Sequence, residues 1–248
     1  MDKENDFTAF FNNDFARDFL SCNDYTVRRA VTGISASCEL LRGNAEKNGD
    51  KKSRELIDCI MNMCCELMRN AELSRALSSE KLDEADLVTV RAAAFLKDFA
   101  KNCISATGGR CTVELKEVPD VLIRTEKDLL RILLLGFIRK CMMEAGDEKL
   151  PFVLECSAKL KTLNITVRCL RTFVDGGAFG SPDVFGKFYA EVCHGLADRT
   201  GASAEIAAHS LTVEIPLTGD SGTAIIEAFP TESEAGFFEP FSLMLGDI

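Results

Sequence analysis

The chain has 248 residues, 46% hydrophobic and 27% charged, enough for one large or two small buried cores and ordinary for a soluble globular protein. Its net charge of -10 argues against nucleic acid as a partner, because phosphate binding needs clustered Lys and Arg; a basic protein surface is compatible with it. Eleven cysteines, odd in number and without a C-x-x-C pair, point to reduced thiols in a cytoplasmic protein rather than to disulfides or a structural metal.

Residues 1–20 carry Phe7, Phe10, Phe11, Phe15, Phe19 and Leu20 among polar residues, a spacing that predicts an amphipathic lead-in helix. No basic stretch followed by an apolar one opens the chain, so no signal peptide is expected. Residues 21–80 read as two helices. Apolar residues at Val27, Val31, Ile34, Cys38 and Leu41, then at Ile57, Ile60, Cys64, Leu67 and Ala71, recur at alternating three and four. The polar stretch Arg42–Lys52, with Gly43 and Gly49, suits the turn between them. An antiparallel hairpin of this kind has a thin core, and a second copy would complete a four-helix bundle; an intramolecular helical subdomain is the alternative. Cys38, Cys59, Cys64 and Cys141 fall at apolar helical positions and are expected to be buried as small hydrophobes.

A polar linker near Ser78–Asp86 leads into residues 87–217, where the pattern becomes mixed. A helix is expected from about Thr89 to Ala106, then strands at Cys111–Leu115 and Val121–Arg124, and an apolar helix at about Glu126–Glu144. Paired strands at Phe152–Ser157 and Leu163–Cys169, a helix at about Asp183–Thr200 and a closing hairpin through Ala204–Ile206 and Leu211–Ile215 complete an α+β sandwich. The longest apolar run, Ile132–Ile138, is far too short to cross a bilayer, so no membrane partner is expected. No Lys or Arg follows Arg199, and residues 218–248 form an acidic tail rich in phenylalanine. That tail reads either as a segment ordered on binding or as one whose Phe237–Leu245 stretch folds back onto the domain, over a nucleotide cleft if one exists.

The helix opening Asp24-Tyr25-Thr26-Val27-Arg28-Arg29-Ala30 resembles the phosphoacceptor helix of sensor histidine kinases, in which an acidic residue, an arginine and a proline follow the histidine. Arg28 matches the arginine. Tyr25 stands for the histidine, Thr26 for the acid and Ala30 for the proline. The element order over about residues 22–217 is similar to that of the hairpin and ATP-binding domain of the family. The resemblance implies two asparagines on the helix after the second strand, and Leu135 and Arg139 stand there. Leucine offers no oxygen to magnesium, which demands oxygen ligands. Arg139 reads as a solvated helix position, with direct anion binding as the lesser alternative. The family's adenine-reading aspartate is matched by Cys169 and a following glycine by Arg171, while Asp175-Gly176-Gly177 reads as a turn, with a displaced remnant of that motif as the alternative. The phosphate-wrapping loop is matched by Phe179–Phe188, where Gly186 survives among phenylalanines.

These departures imply a degenerate member: a dimeric scaffold with no catalytic residues, metal or cofactor. It would touch response-regulator receiver domains through Tyr25, Arg28, Arg29 and Thr32. The rival is an active kinase or phosphotransfer protein that uses ATP and magnesium with a shifted acceptor, Tyr25 or His194. A third reading has the tail block another kinase's hairpin. His194, mid-helix, and His209, at a hairpin turn, read as structural, because neither has an aligned partner for acid–base work.

Overall fold

Helix α1 (Asp14–Asn48) and helix α2 (Lys51–Ser78) fold into a hairpin, seen in a computed structural model that describes residues 14–78, 87–146, 148–171, 202–217 and 240–246. From Asp14 onward the expected lead-in helix is continuous with α1 rather than separate, and residues 1–13 lie outside the described set. Gly43 stays helical, so the turn expected across Arg42–Lys52 narrows to Gly49 and Asp50. Gly49 adopts φ 68°, its amide donates to the Glu46 carbonyl and the Asp50 amide to the Ala45 carbonyl, a Schellman closure. Asp50 then caps α2 by accepting from the Ser53 amide and hydroxyl, and those two bonds hold its carboxyl below the usual range. A left-handed φ disfavours any side chain with a Cβ, so Gly49→Ala is expected to cost about 1 kcal/mol, read from the thermal unfolding of the helical signal.

The hairpin's inner seam takes Val31, Ser35, Cys38 and Ala45 from α1 against Ile57, Met61, Cys64, Met68 and Ala71 from α2. Ile34, Leu41, Ile60 and Leu67, expected in that seam, are instead 41%, 54%, 40% and 47% exposed. The physical reason is local: Ile60-Met61 and Leu67-Met68 are adjacent apolar pairs, so α2 carries two overlapping stripes and Met61 and Met68 face inward. Cys59 is also exposed, against expectation, while Cys38, Cys64 and Cys141 are buried. An Arg42–Asp58 ion pair at 2.6 Å ties the helices near the turn.

The described residues from 87 to 246 form a second compact unit. Strand β1 (Val88–Arg91), which the sequence pattern merged into a helix starting near Thr89, pairs antiparallel with β3 (Leu122–Thr125). Helix α3 (Ala92–Ala106) starts directly after it and buries Phe95, Leu96, Phe99, Ala100 and Cys103 along one stripe. Strand β2 (Cys111–Leu115) opens a five-stranded sheet completed by β4 (Leu150–Ala158), β5 (Thr162–Cys169), β6 (Ser203–Ala207) and β7 (Ser210–Pro216), in the order β2-β4-β5-β7-β6. Among the described strands only β2 and β4 run parallel. Alternation decides the faces: Leu163, Ile165, Val167 and Cys169 are buried with Leu211, Val213 and Ile215, while Thr166 and Thr212 share a hydroxyl contact of 3.1 Å on the other face.

Helix α4 (Lys127–Ala145) is capped by the Glu126 carboxylate, which accepts from the Asp128 and Leu129 amides. It is apolar nearly all round, with Leu129–Ile138 buried except Arg131, as befits a helix covered on more than one side. A short helix α5 (Pro240–Leu245) buries Phe241, Met244 and Leu245 in the same core. The α+β sandwich expected from the sequence is the fold observed. No helix among the described residues is long and apolar enough to cross a membrane.

Candidate functional site

Two places gather the residues singled out by the sequence. On the hairpin, Tyr25 is 67% exposed, and Arg29 and Thr32 are exposed beside it. Thr26 gives its hydroxyl to the Cys22 carbonyl at 2.9 Å and Thr32 to the Arg28 carbonyl at 2.8 Å, so both are turned back onto their own helix. Arg28 differs from its neighbours. It pairs with Asp24 and with Glu72, each at 2.9 Å, and the second pair bridges α1 to α2. The arginine that matches the family motif therefore clamps the hairpin, while Tyr25, Arg29 and Thr32 remain presented. A shallow groove beside them is lined by Thr26, Arg29, Ala30, Gly33, Ile34 and Ile60.

In the second unit the sequence-matched positions lie on α4 and at the end of β5. Leu135 is fully buried in the main core cluster. Arg139 is not the solvated position expected: it is partly buried, and its Nη1 donates to the Met244 carbonyl at 2.7 Å. One turn of α4 beyond Leu135, Arg139 is thus occupied by the chain's own C-terminal helix. Cys169 ends β5, buried, with its backbone amide donating to the His209 carbonyl. Its thiol is drawn down to about 7 by a hydrogen bond with Cys141 of α4, aided by the backbone amide and charge of Arg171 and opposed by burial. Cys141 keeps the proton of that shared bond and is pushed upward, and burial pushes Cys111 up to about 12. Arg171, in the position of a family glycine, makes a 2.6 Å ion pair with Glu148.

Lys140 escaped the sequence reading. It is buried with its Nζ 2.8 Å from Glu144 Oε1, a pair one helical turn apart. The Lys140/Glu144 spacing is the only signal for it, and the same spacing is common on solvated faces. Among the described residues no group of three or more His, Cys, Asp or Glu side chains is placed to hold a metal ion. Gly186, Asp175-Gly176-Gly177, His194 and the expected helix near Asp183–Thr200 lie outside the described residues.

No protein family and no curated protein is matched by this sequence. Solved structures resemble it. The Acinetobacter baumannii histidine kinase AdeS superposes with a TM-score of 0.48 at 11% identity, over 77% of this chain and 97% of that one. The ATP-binding domain of PrrB from Mycobacterium tuberculosis gives 0.41 at 15% identity, over 54% and 99%. Full-length ShkA in complex with AMPPNP gives 0.57 at 15% identity, over 81% of this chain and 46% of ShkA, so the chain spans less than half of that protein's length. The fold is of the histidine-kinase type, a two-helix hairpin followed by an α/β sandwich.

Proposed function

We propose that the chain is a histidine-kinase-like protein without phosphotransfer chemistry, acting as a dimeric scaffold or regulator in two-component signalling in the cytoplasm. One observation carries the reading. At the acceptor position stands the exposed phenol of Tyr25, and the hydroxyl of Thr26, in place of an acidic partner, is committed to its own helix. A phenol lacks the imidazole nitrogen that histidine phosphorylation requires, and no carboxylate stands at the neighbouring motif position to assist it.

The residues on α4 and β5 support the same reading. Leu135 brings no ligand oxygen and is inside the core, Cys169 is a thiol where a carboxylate would accept from adenine, and Arg139 is engaged by Met244. These groups do not fit a magnesium nucleotide. A receiver domain would then meet the hairpin through Tyr25, Arg29 and Thr32, with Arg28 holding the surface in shape.

Isothermal calorimetry with Mg-ATP on the full chain tests this. No binding heat is expected at millimolar nucleotide, and micromolar binding would overturn the reading. The exposed hydroxyl of Tyr25 favours one rival, phosphotransfer to a shifted acceptor. Incubation with labelled ATP, or with a phosphorylated receiver domain, separates the two: acid-stable label on Tyr25 or acid-labile label on His194 supports the rival, and an unlabelled chain is the expected result.

A further inference from the structure

Helix α5 is seated on the second unit through one apolar face and one anchored carbonyl. Phe241, Met244 and Leu245, spaced i, i+3, i+4, fall on one helical face, and all three are buried. The Phe241 ring lies 5.6 Å from that of Phe99 on α3, tilted by 56°. At the other end of the helix, Arg139 of α4 donates to the Met244 carbonyl, placing a cation at a helix C-terminus, where unpaired carbonyls favour it. The seat therefore has an aromatic wall and a charged anchor, the two parts expected of a groove that receives a short amphipathic helix. Residues 218–239, which contain five acids and no Lys or Arg, connect this helix to the last described residue of the sheet region, Leu217.

We propose that the face formed by α3 and α4 is a helix-binding groove and that α5 is its resident ligand, held in cis and exchangeable. The occupant is the chain's own segment 237–248. A helix presenting an aromatic residue, a methionine and a leucine at i, i+3 and i+4 is the partner chemistry that would compete for the groove. The tether keeps α5 at high effective concentration, so cis occupancy prevails until a competitor is abundant or the tether is cut. This inference shares the Arg139–Met244 contact with the signalling reading, but its test reads peptide exchange rather than nucleotide binding, so the two can fail separately.

The test uses the full chain with a protease site inserted between Gly222 and Thr223. The folded protein is cut in the presence of an excess of fluorescein-labelled synthetic peptide 237–248, so that the groove is never left empty. Labelled peptide is expected to exchange onto the cut protein at one per chain, as read by fluorescence anisotropy. A peptide carrying Phe241→Ala should bind at least tenfold more weakly, as should the wild-type peptide to a cut Arg139→Ala protein. The uncut chain should bind the labelled peptide at least tenfold more weakly than the cut one, because cis helix and label compete. Equal binding to cut and uncut chains would place the label elsewhere and overturn the proposal. So would retention of the original segment without exchange until the unit unfolds, which would make α5 an integral part of the core. Hydrogen exchange on the uncut chain gives a second check that needs no variant. The amides of Phe241–Leu245 should exchange faster than those of α4, and equal protection would overturn the proposal.

Discussion

Ile34→Glu combined with Ile60→Glu is expected to leave the hairpin folded and to halve the particle mass measured by light scattering. Val31, Cys38, Ile57, Met61 and Cys64 close the intramolecular seam, so the outer stripe containing Ile34 and Ile60 is spare in a single chain. A second copy would bury these side chains, and each is about half available for that. Taking about 1 kcal/mol per half-buried aliphatic, four such side chains per dimer amount to about 4 kcal/mol, or roughly a thousandfold in dissociation constant. Placing carboxylates there adds repulsion to the lost burial. Unchanged helical circular dichroism with a halved mass would support the dimeric reading. A wild-type chain that is already monomeric at micromolar concentration would remove it.

Phe137→Ala is expected to be the most damaging single change in the second unit. The ring is fully buried on α4 in a core shared with α3 and the sheet, and its neighbours Leu134, Leu135 and Ile138 are equally enclosed. Removing it leaves a cavity that a helix packed on several sides cannot collapse, at a cost of about 3–5 kcal/mol. Leu170→Ala, at an exposed leucine just past β5, serves as the control and should stay within about 0.5 kcal/mol of wild type. Urea unfolding followed by near-ultraviolet signals distinguishes the two, and a Phe137 variant as stable as the control would contradict the packing described.

Much of this arrangement was written plainly in the chain. The sequence pattern placed β4, β5, β6 and β7 to within a few residues, most cleanly for β5 and β7, where buried residues alternate with more exposed ones. The seam of α2 was legible only in part: Ile60-Met61 and Leu67-Met68 satisfy two stripes equally, and only the partner helix selects between them. Strand β1 was hidden since four residues pass straight into α3 with no glycine or proline between. The candidate site followed the same division. Tyr25, Leu135 and Cys169 stand out by residue type alone once the resemblance to the family is taken as the guide. That the tail folds back onto the domain was one of two readings the sequence offered, but the particular contact of Arg139 with Met244 was not readable, because it joins positions 105 apart in sequence.

The parallel pairing of β2 with β4 carries a different chain-entropy cost from the other ladders of the second unit. The β4–β5 and β6–β7 hairpins close across short turns and need little chain entropy. The β2–β4 ladder instead closes a long excursion through β3 and α4, a larger loop with a larger closure cost. The helix bearing Leu135 and Arg139 therefore lies within the crossover that lets β2 and β4 run parallel, a structural task separate from any nucleotide chemistry.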